Sequence, residues 1–129
     1  MLPVLMLPET EIRESGAGSV LDLGPSSERP DLLLVTLGIT HSVEQESLDV
    51  IVQGSSDGAN WLSKPVGAFS QKFYCGTYQI LLDLGSHTDV RFLRPKWTVN
   101  RWGRGDLKPV FDIYLHAEPQ FRSMAVGAA

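Results

Sequence analysis

The residues that could do chemistry are few in this chain and widely spaced. The three histidines, His41, His87 and His116, and the one cysteine, Cys75, show no metal-ligand spacing. A structural zinc site wants four good ligands, so neither a metal nor any other cofactor is expected. His87 and Asp89 with a serine could be drawn as a nucleophilic triad, but nothing places a nucleophile on a strained elbow. Cys75, within Tyr74-Cys-Gly-Thr-Tyr78, lacks the histidine or helix N-terminus that activates a thiol. Gly16-Ala-Gly18 is too short for a phosphate loop and has no strand-to-helix context. No catalytic cluster is found, and the expectation is a protein that is not an enzyme.

Residues suited to binding are better grouped. From Arg91 to Asp106 bases alternate with aromatics: Arg91, Phe92, Arg94, Lys96, Trp97, Arg101, Trp102 and Arg104. Surfaces that grip phosphates and stack bases have this composition. A net charge of -4 over the whole chain argues against nucleic acid as the main partner. A strand sending Phe92 and Trp97 inward and its arginines outward gives the same pattern. Protein–protein contact therefore ranks first, a plain solvated edge second and nucleic acid third. Pro95 removes a ladder donor, which predicts an edge or bulged strand there. Arg104-Gly-Asp106 matches a short recognition tripeptide, but reads best as a Gly-rich turn anchored by Trp102.

Charge is unevenly distributed along the sequence. Residues 1–49 hold nine acids against two bases, and residues 91–108 hold six bases against one acid. Two such ends could attract copies of one another, with the basic stretch 91–104 meeting acids around 44–49 or 9–14. The apolar start, with Leu2, Val4 and Leu5 between Pro3 and Pro8, has no basic n-region and is too short for a signal peptide. No apolar run approaches the ~20 residues that span a bilayer. A protein kept away from membranes is expected, cytoplasmic unless it is carried in a virion.

The elements that must position these residues are strands. Period-two alternation of apolar residues recurs over 19–23, 31–43, 47–53, 77–83, 90–99 and 109–118, with Gly and Pro between the runs. No stretch keeps helical spacing. With 129 residues and 43% hydrophobic content the chain suits one domain, and one cysteine excludes an internal disulfide. The expected architecture is all-β: a single antiparallel sandwich, jelly-roll or immunoglobulin-like, over 17–117. Segments 1–16 and 118–129 are expected as arms outside it. Candidate core residues are Leu21, Leu23, Leu33, Val35, Leu37, Leu48, Val50, Val52, Trp61, Phe69, Ile80, Leu82, Phe92, Trp97, Phe111, Ile113 and Leu115.

The most informative stretch is Val50-Ile-Val-Gln-Gly-Ser-Ser-Asp-Gly-Ala-Asn-Trp61. Asp57 is suited to accept bonds from amides just after it, Gly58 supplies positive φ, and Trp61 closes the turn against the sandwich edge. This strand and turn, a Phe-containing loop and the later strand Val90-Arg-Phe-Leu-Arg94 resemble the small β-sandwich virion proteins of tailed bacteriophages, in head decoration and tail parts. They also resemble discoidin-like carbohydrate-binding modules. The resemblance covers roughly 31–117. The short acidic region before Asp31 departs from the longer discoidin-like modules and favours the virion comparison.

The resemblance implies a structural protein that self-associates into a homo-oligomer or docks on a larger assembly. Leu2, Val4, Leu5, Arg91, Arg94, Lys96, Arg101, Trp102 and Arg104 are the expected contact residues, and Asp57, Gly58 and Trp61 the structural turn. The alternative is a carbohydrate-binding module using Trp61, Trp102 or Tyr74 as its platform.

Overall fold

The computed structural model describes residues 3–25, 27, 29–102 and 108–120. Among these residues nine strands follow in order: β1 (Val4–Ile12), β2 (Gly16–Ala17), β3 (Leu21–Asp22), β4 (Leu32–Ser42), β5 (Glu46–Ser55), β6 (Gly67–Ala68), β7 (Gly76–Asp83), β8 (Phe92–Arg101) and β9 (Phe111–Gln120). A 3-10 turn, Leu84–Ser86, follows β7. One sheet has the order β1-β9-β4-β7. The other has the order β2-β8-β5-β6, with β3 continuing the same edge beside β8. All pairings are antiparallel.

The pairings are nested. The first strand pairs with the last, β2 and β3 with β8, β4 with β7, and β5 with β6. Such a chain is one long antiparallel ribbon rolled up so that β4 also meets β9 and β5 also meets β8. Successive parts of the ribbon fall alternately in the two sheets. That winding is the jelly roll, and it decides between the two sandwich forms the sequence left open.

The core lies between the sheets and follows the period-two pattern. Leu33, Val35, Leu37 and Ile39 of β4 and Phe111, Ile113, Leu115 and Ala117 of β9 point inward from one side. Leu48, Val50 and Val52 of β5 and Leu93, Trp97 and Val99 of β8 meet them from the other. Each large side chain fully buried in this way is worth roughly 1.5–3 kcal/mol before ordering entropy is subtracted. Trp97 keeps its polar atom satisfied, because its indole N–H donates to the Glu14 carbonyl at 3.0 Å. On the outer face of the first sheet the Tyr114 ring lies across Gly38, where any Cβ would overlap it.

Four expectations are corrected. The segment 1–16 is not an arm: Val4–Ile12 is the outer strand of a sheet, and Met6, Leu7 and Ile12 are buried in the core. The strand pairs with β9 of the same chain, and Val4 packs against the core that Met6, Leu7 and Ile12 enter. At the other end β9 continues to Gln120, so 118–120 are strand, and 121–129 lie outside the described residues.

Phe92 is not inward. It is separated from Trp97 by an odd number of positions, so alternation forces them onto opposite faces, and Leu93 takes the buried place. Nor is β8 an edge strand, since β5 flanks one side and β2 and β3 the other. Pro95 is tolerated because the Val52 carbonyl opposite it receives the Val66 N–H instead, at 2.9 Å. The proline ring nitrogen faces the gap between β2 and β3, while its carbonyl accepts from Gly18 N–H at 2.8 Å.

Candidate functional site

One end of the sandwich collects the features most suited to contact. There β4 turns into β5 through 43–45, β8 ends at Arg101, and β9 begins at Phe111. Gln45 adopts a left-handed backbone with φ 60°, unusual for a residue with a side chain. Two interactions hold it. The Gln45 carbonyl accepts from Trp102 N–H at 2.9 Å. Beside it, the buried Glu46 carboxylate accepts from Val43 N–H through one oxygen and from Val110 N–H through the other, both at 2.8 Å. Glu46 therefore clasps the 43–46 turn to the start of β9, and the same turn holds Trp102 through Gln45.

Trp102 emerges into solvent beside the loop that leads from β6 into β7. Its ring meets Phe73 edge-on, with centroids 6.5 Å apart, and Phe73 meets Tyr74 at 6.4 Å. Tyr74 is 70% exposed, Trp102 49% and Phe73 39%. Of the large hydrophobic side chains exposed among the described residues, these three form one contiguous patch. Contiguity matters here, because isolated exposed apolar side chains are ordinary on a protein surface whereas clustered ones are not. Cys75 follows, exposed, with its Sγ 3.6 Å from Ser42 Oγ. Basic groups border the patch: Lys72 precedes Phe73, and Arg101 precedes Trp102 and donates to the Lys108 carbonyl at 3.1 Å. The Lys72 ammonium lies over the Tyr78 ring, 3.9 Å from its centroid.

The expected contact residues are dispersed. Arg91 forms a two-bond ion pair with Asp22, at 2.9 and 3.1 Å, which lowers the Asp22 pKa through that hydrogen bond and raises that of Arg91. Arg94 stacks over Trp61 at 4.3 Å and donates to Gln53 at 2.7 Å. Lys96 is exposed on the outer face of β8, Val4 is half-buried against the core and Leu5 is exposed on β1. Leu2 and Arg104, with the rest of the Arg-Gly-Asp tripeptide, lie outside the described residues.

Charge blocks in the sequence do not become opposite poles. Nesting sets the first strand beside the last, so Glu11 lies opposite Asp112, at the same end as Trp102. Glu11 also pairs with Arg13, while Glu46 is buried and unavailable to a partner.

Of the three aromatics considered as a platform, the fold unites Tyr74 with Trp102 and sets Trp61 apart. Trp61 sits near position 94 of β8, seven residues from Arg101, or roughly 23 Å at strand spacing. The turn beside it is tightly built. Ser55 Oγ accepts from Asp57 and Gly58 N–H and donates to the Asn60 carbonyl at 2.7 Å. Asp57 accepts from Ala59 and Asn60 N–H and from the Asn60 side chain, and these bonds hold its carboxyl far below the usual aspartate range. Gly58 has φ 80°, and its surface is covered by the Phe92 ring. Every one of these contacts is internal to the turn and its sheet.

Sequence reasoning missed Phe73, Glu46 and Arg29. Phe73 stood in a stretch without period-two alternation, so nothing marked it as the bridge between Tyr74 and Trp102. Glu46 was counted as surface charge, as was Arg29. In the fold the Arg29 guanidinium donates to the Leu84 and His87 carbonyls at 3.1 and 2.7 Å, and burial lowers its pKa. Only the acidic residue followed by a β-run hinted at Glu46, and that signal is common to many exposed positions.

His41 lies at the end of β4, His87 after the 3-10 turn and His116 on the outer face of β9. No group of three or more His, Cys, Asp or Glu placed to hold a metal ion occurs among the described residues. No helix among them is long and apolar enough to cross a membrane. Compared with models of known protein families and with curated proteins, the chain matches none.

Proposed function

We propose that this protein is a non-enzymatic structural subunit that joins other protein subunits, similar in role to the small β-sandwich virion proteins of tailed bacteriophages. The observation that carries this reading is the exposed Phe73–Tyr74–Trp102 patch at one end of a jelly roll. Aromatic residues are the side chains that dominate protein interfaces when they stand clustered with a charged rim. The rigid backbone beneath supports the reading too. Trp102 is anchored through Gln45 and the Glu46 clasp, so its ring is presented with little ordering left to lose on contact. The basic border, Lys72, Arg101 and Lys108, suits a partner surface with an acidic rim, which makes association weaken with salt.

A second reading is a carbohydrate-binding module, favoured by the fact that Tyr74 and Trp102 come together on a solvent-facing end. Native mass spectrometry at micromolar concentration together with a glycan array separates the two. The structural reading expects wild-type oligomers that Phe73→Ala and Trp102→Ala shift toward monomer, without saturable glycan binding. A strictly monomeric wild type whose saturable glycan binding disappears in Trp102→Ala would establish the carbohydrate module instead.

A further inference from the structure

Each sheet of the jelly roll has two open sides, and the two open sides of the first sheet differ in a way that bears on assembly. β1 closes one side. It carries Pro8, Glu9 and Glu11, and its pairing with β9 slips twice, between Leu5 and Leu7 and between Leu7 and Thr10. Prolines, charges and bulges of this kind are how natural sheets prevent a further strand from adding. β7 closes the other side with no proline and no slip in register, and its one charged residue, Asp83, stands at its very end, where the carboxylate accepts from Gly85 N–H and the Ser86 hydroxyl of the 3-10 turn. The strand reads Gly-Thr-Tyr-Gln-Ile-Leu-Leu-Asp, and it pairs with β4 in unbroken register from Leu32↔Asp83 to Ile39↔Gly76. Lys72 is the neighbouring cation, and its ammonium is engaged on the Tyr78 ring.

The register also says which main-chain groups stand open. Leu84 N–H donates to the Asp31 carbonyl at 2.7 Å, one step beyond the Leu32↔Asp83 pair. Antiparallel ladders bond at every second pair. The main chain of Leu82, Ile80 and Tyr78 therefore turns toward β4. That of Thr77, Gln79 and Leu81 turns outward, and no neighbouring strand takes it up among the described residues. The same three residues have exposed side chains, Leu81 at 55%. An open edge with an exposed leucine and neither proline nor charge along 77–81 is a template for another strand.

We infer that the β7 edge is a seam between two copies of this chain, which pair β7 against β7 antiparallel about a two-fold axis through Gln79. The inference rests on the self-associating structural reading above and names a contact distinct from the aromatic end. A second copy is the occupant because this strand is complementary to itself. Centred on Gln79, the pairing sets Gln79 opposite Gln79 and Thr77 opposite Leu81, so that the three outward-turned residues of each copy bond to one another. Tyr78 then faces Ile80 of the other copy, twice, in the closely spaced pairs where an aromatic and a β-branched side chain pack well. Both are only partly buried in the single chain. The Gln79 amide already donates to Thr36 Oγ1 at 3.2 Å, which leaves its second N–H and its carbonyl oxygen for the facing glutamine. The result is one continuous eight-stranded sheet across two molecules.

Two edge variants test this, because neither disturbs the β4–β7 ladder. Gln79→Pro removes an outward N–H only, and Leu81→Lys places a charge at the edge. Sedimentation and native mass spectrometry of the full chain, with hydrogen exchange read at single amides, give the outcome. The expected result is that each variant stays folded and raises the dissociation constant of the two-fold pair about tenfold or more, roughly 1.4 kcal/mol. In wild type the amides of Thr77, Gln79 and Leu81 become protected as concentration rises, while those of Tyr78, Ile80 and Leu82 are protected throughout. A two-fold pair whose dissociation constant is unchanged in both variants, or a wild-type pair that leaves the three odd-numbered amides unprotected, overturns the seam but leaves the structural reading standing. A wild type that is monomeric at all concentrations overturns both.

Discussion

Removing the Glu46 side chain should loosen the whole contact end of the molecule. Its carboxylate is buried and receives two main-chain N–H groups, from Val43 and Val110, each at 2.8 Å. Glu46→Ala deletes both acceptors at once. A hydrogen bond to a charged acceptor contributes about 1.5–3 kcal/mol, and a buried donor left unsatisfied costs about 1–3 kcal/mol. These are two views of the same loss, so the variant should lose about 3–5 kcal/mol. That is a large part of the 5–15 kcal/mol typical of a domain. Glu46→Gln retains one carbonyl acceptor but turns an NH2 toward the other donor, and should lose about half as much.

The assay is urea unfolding of both variants beside wild type, with amide exchange at Val43, Val110 and Trp102. Exchange at Trp102 should rise in Glu46→Ala, because its N–H is held by Gln45, whose left-handed conformation the clasp maintains. A loss below 1 kcal/mol in Glu46→Ala, or equal losses in the alanine and glutamine variants, would refute the clasp. So would a loss of stability with unchanged exchange at Trp102, since the clasp is argued to position that residue.

Two further outcomes follow from the packing and the turn. Gly38→Ala should cost about 1–3 kcal/mol of stability in denaturant unfolding, because the new methyl meets the Tyr114 ring, and Tyr114→Ala in the same chain should recover much of that cost. Asp57 has its carboxyl pKa lowered by bonds from Asn60 and Ala59 N–H. A depressed folded pKa gives stability that is complete above the unfolded value, near 3.8, and is lost as pH falls toward the folded one. Wild type should therefore exceed Asp57→Asn in thermal stability at neutral pH, and the gap should narrow below about pH 4.

The strands of this protein were legible in its sequence because alternation is a local property. Leu48, Val50 and Val52, or Phe111, Ile113 and Leu115, declare a buried face without reference to any other segment. So did the Ser55–Asn60 turn, whose hydrogen bonds close within six residues. Where alternation was interrupted the sequence misled. Pro3 and Pro8 disguised β1 as an arm, since a slipped strand breaks the period that would reveal it.

Tertiary structure alone decided the rest. Nesting brings Leu5 beside His116 and Glu46 beside Val110, contacts between residues far apart in the chain, and no local pattern encodes them. It turned Glu46 from a surface charge into a buried clasp and assembled Phe73, Tyr74 and Trp102 from two loops. It also left β7, and not the basic β8, at the open side of a sheet. Which faces a strand buries depends on its own residues, but which strands lie beside it depends on how the entire ribbon is wound.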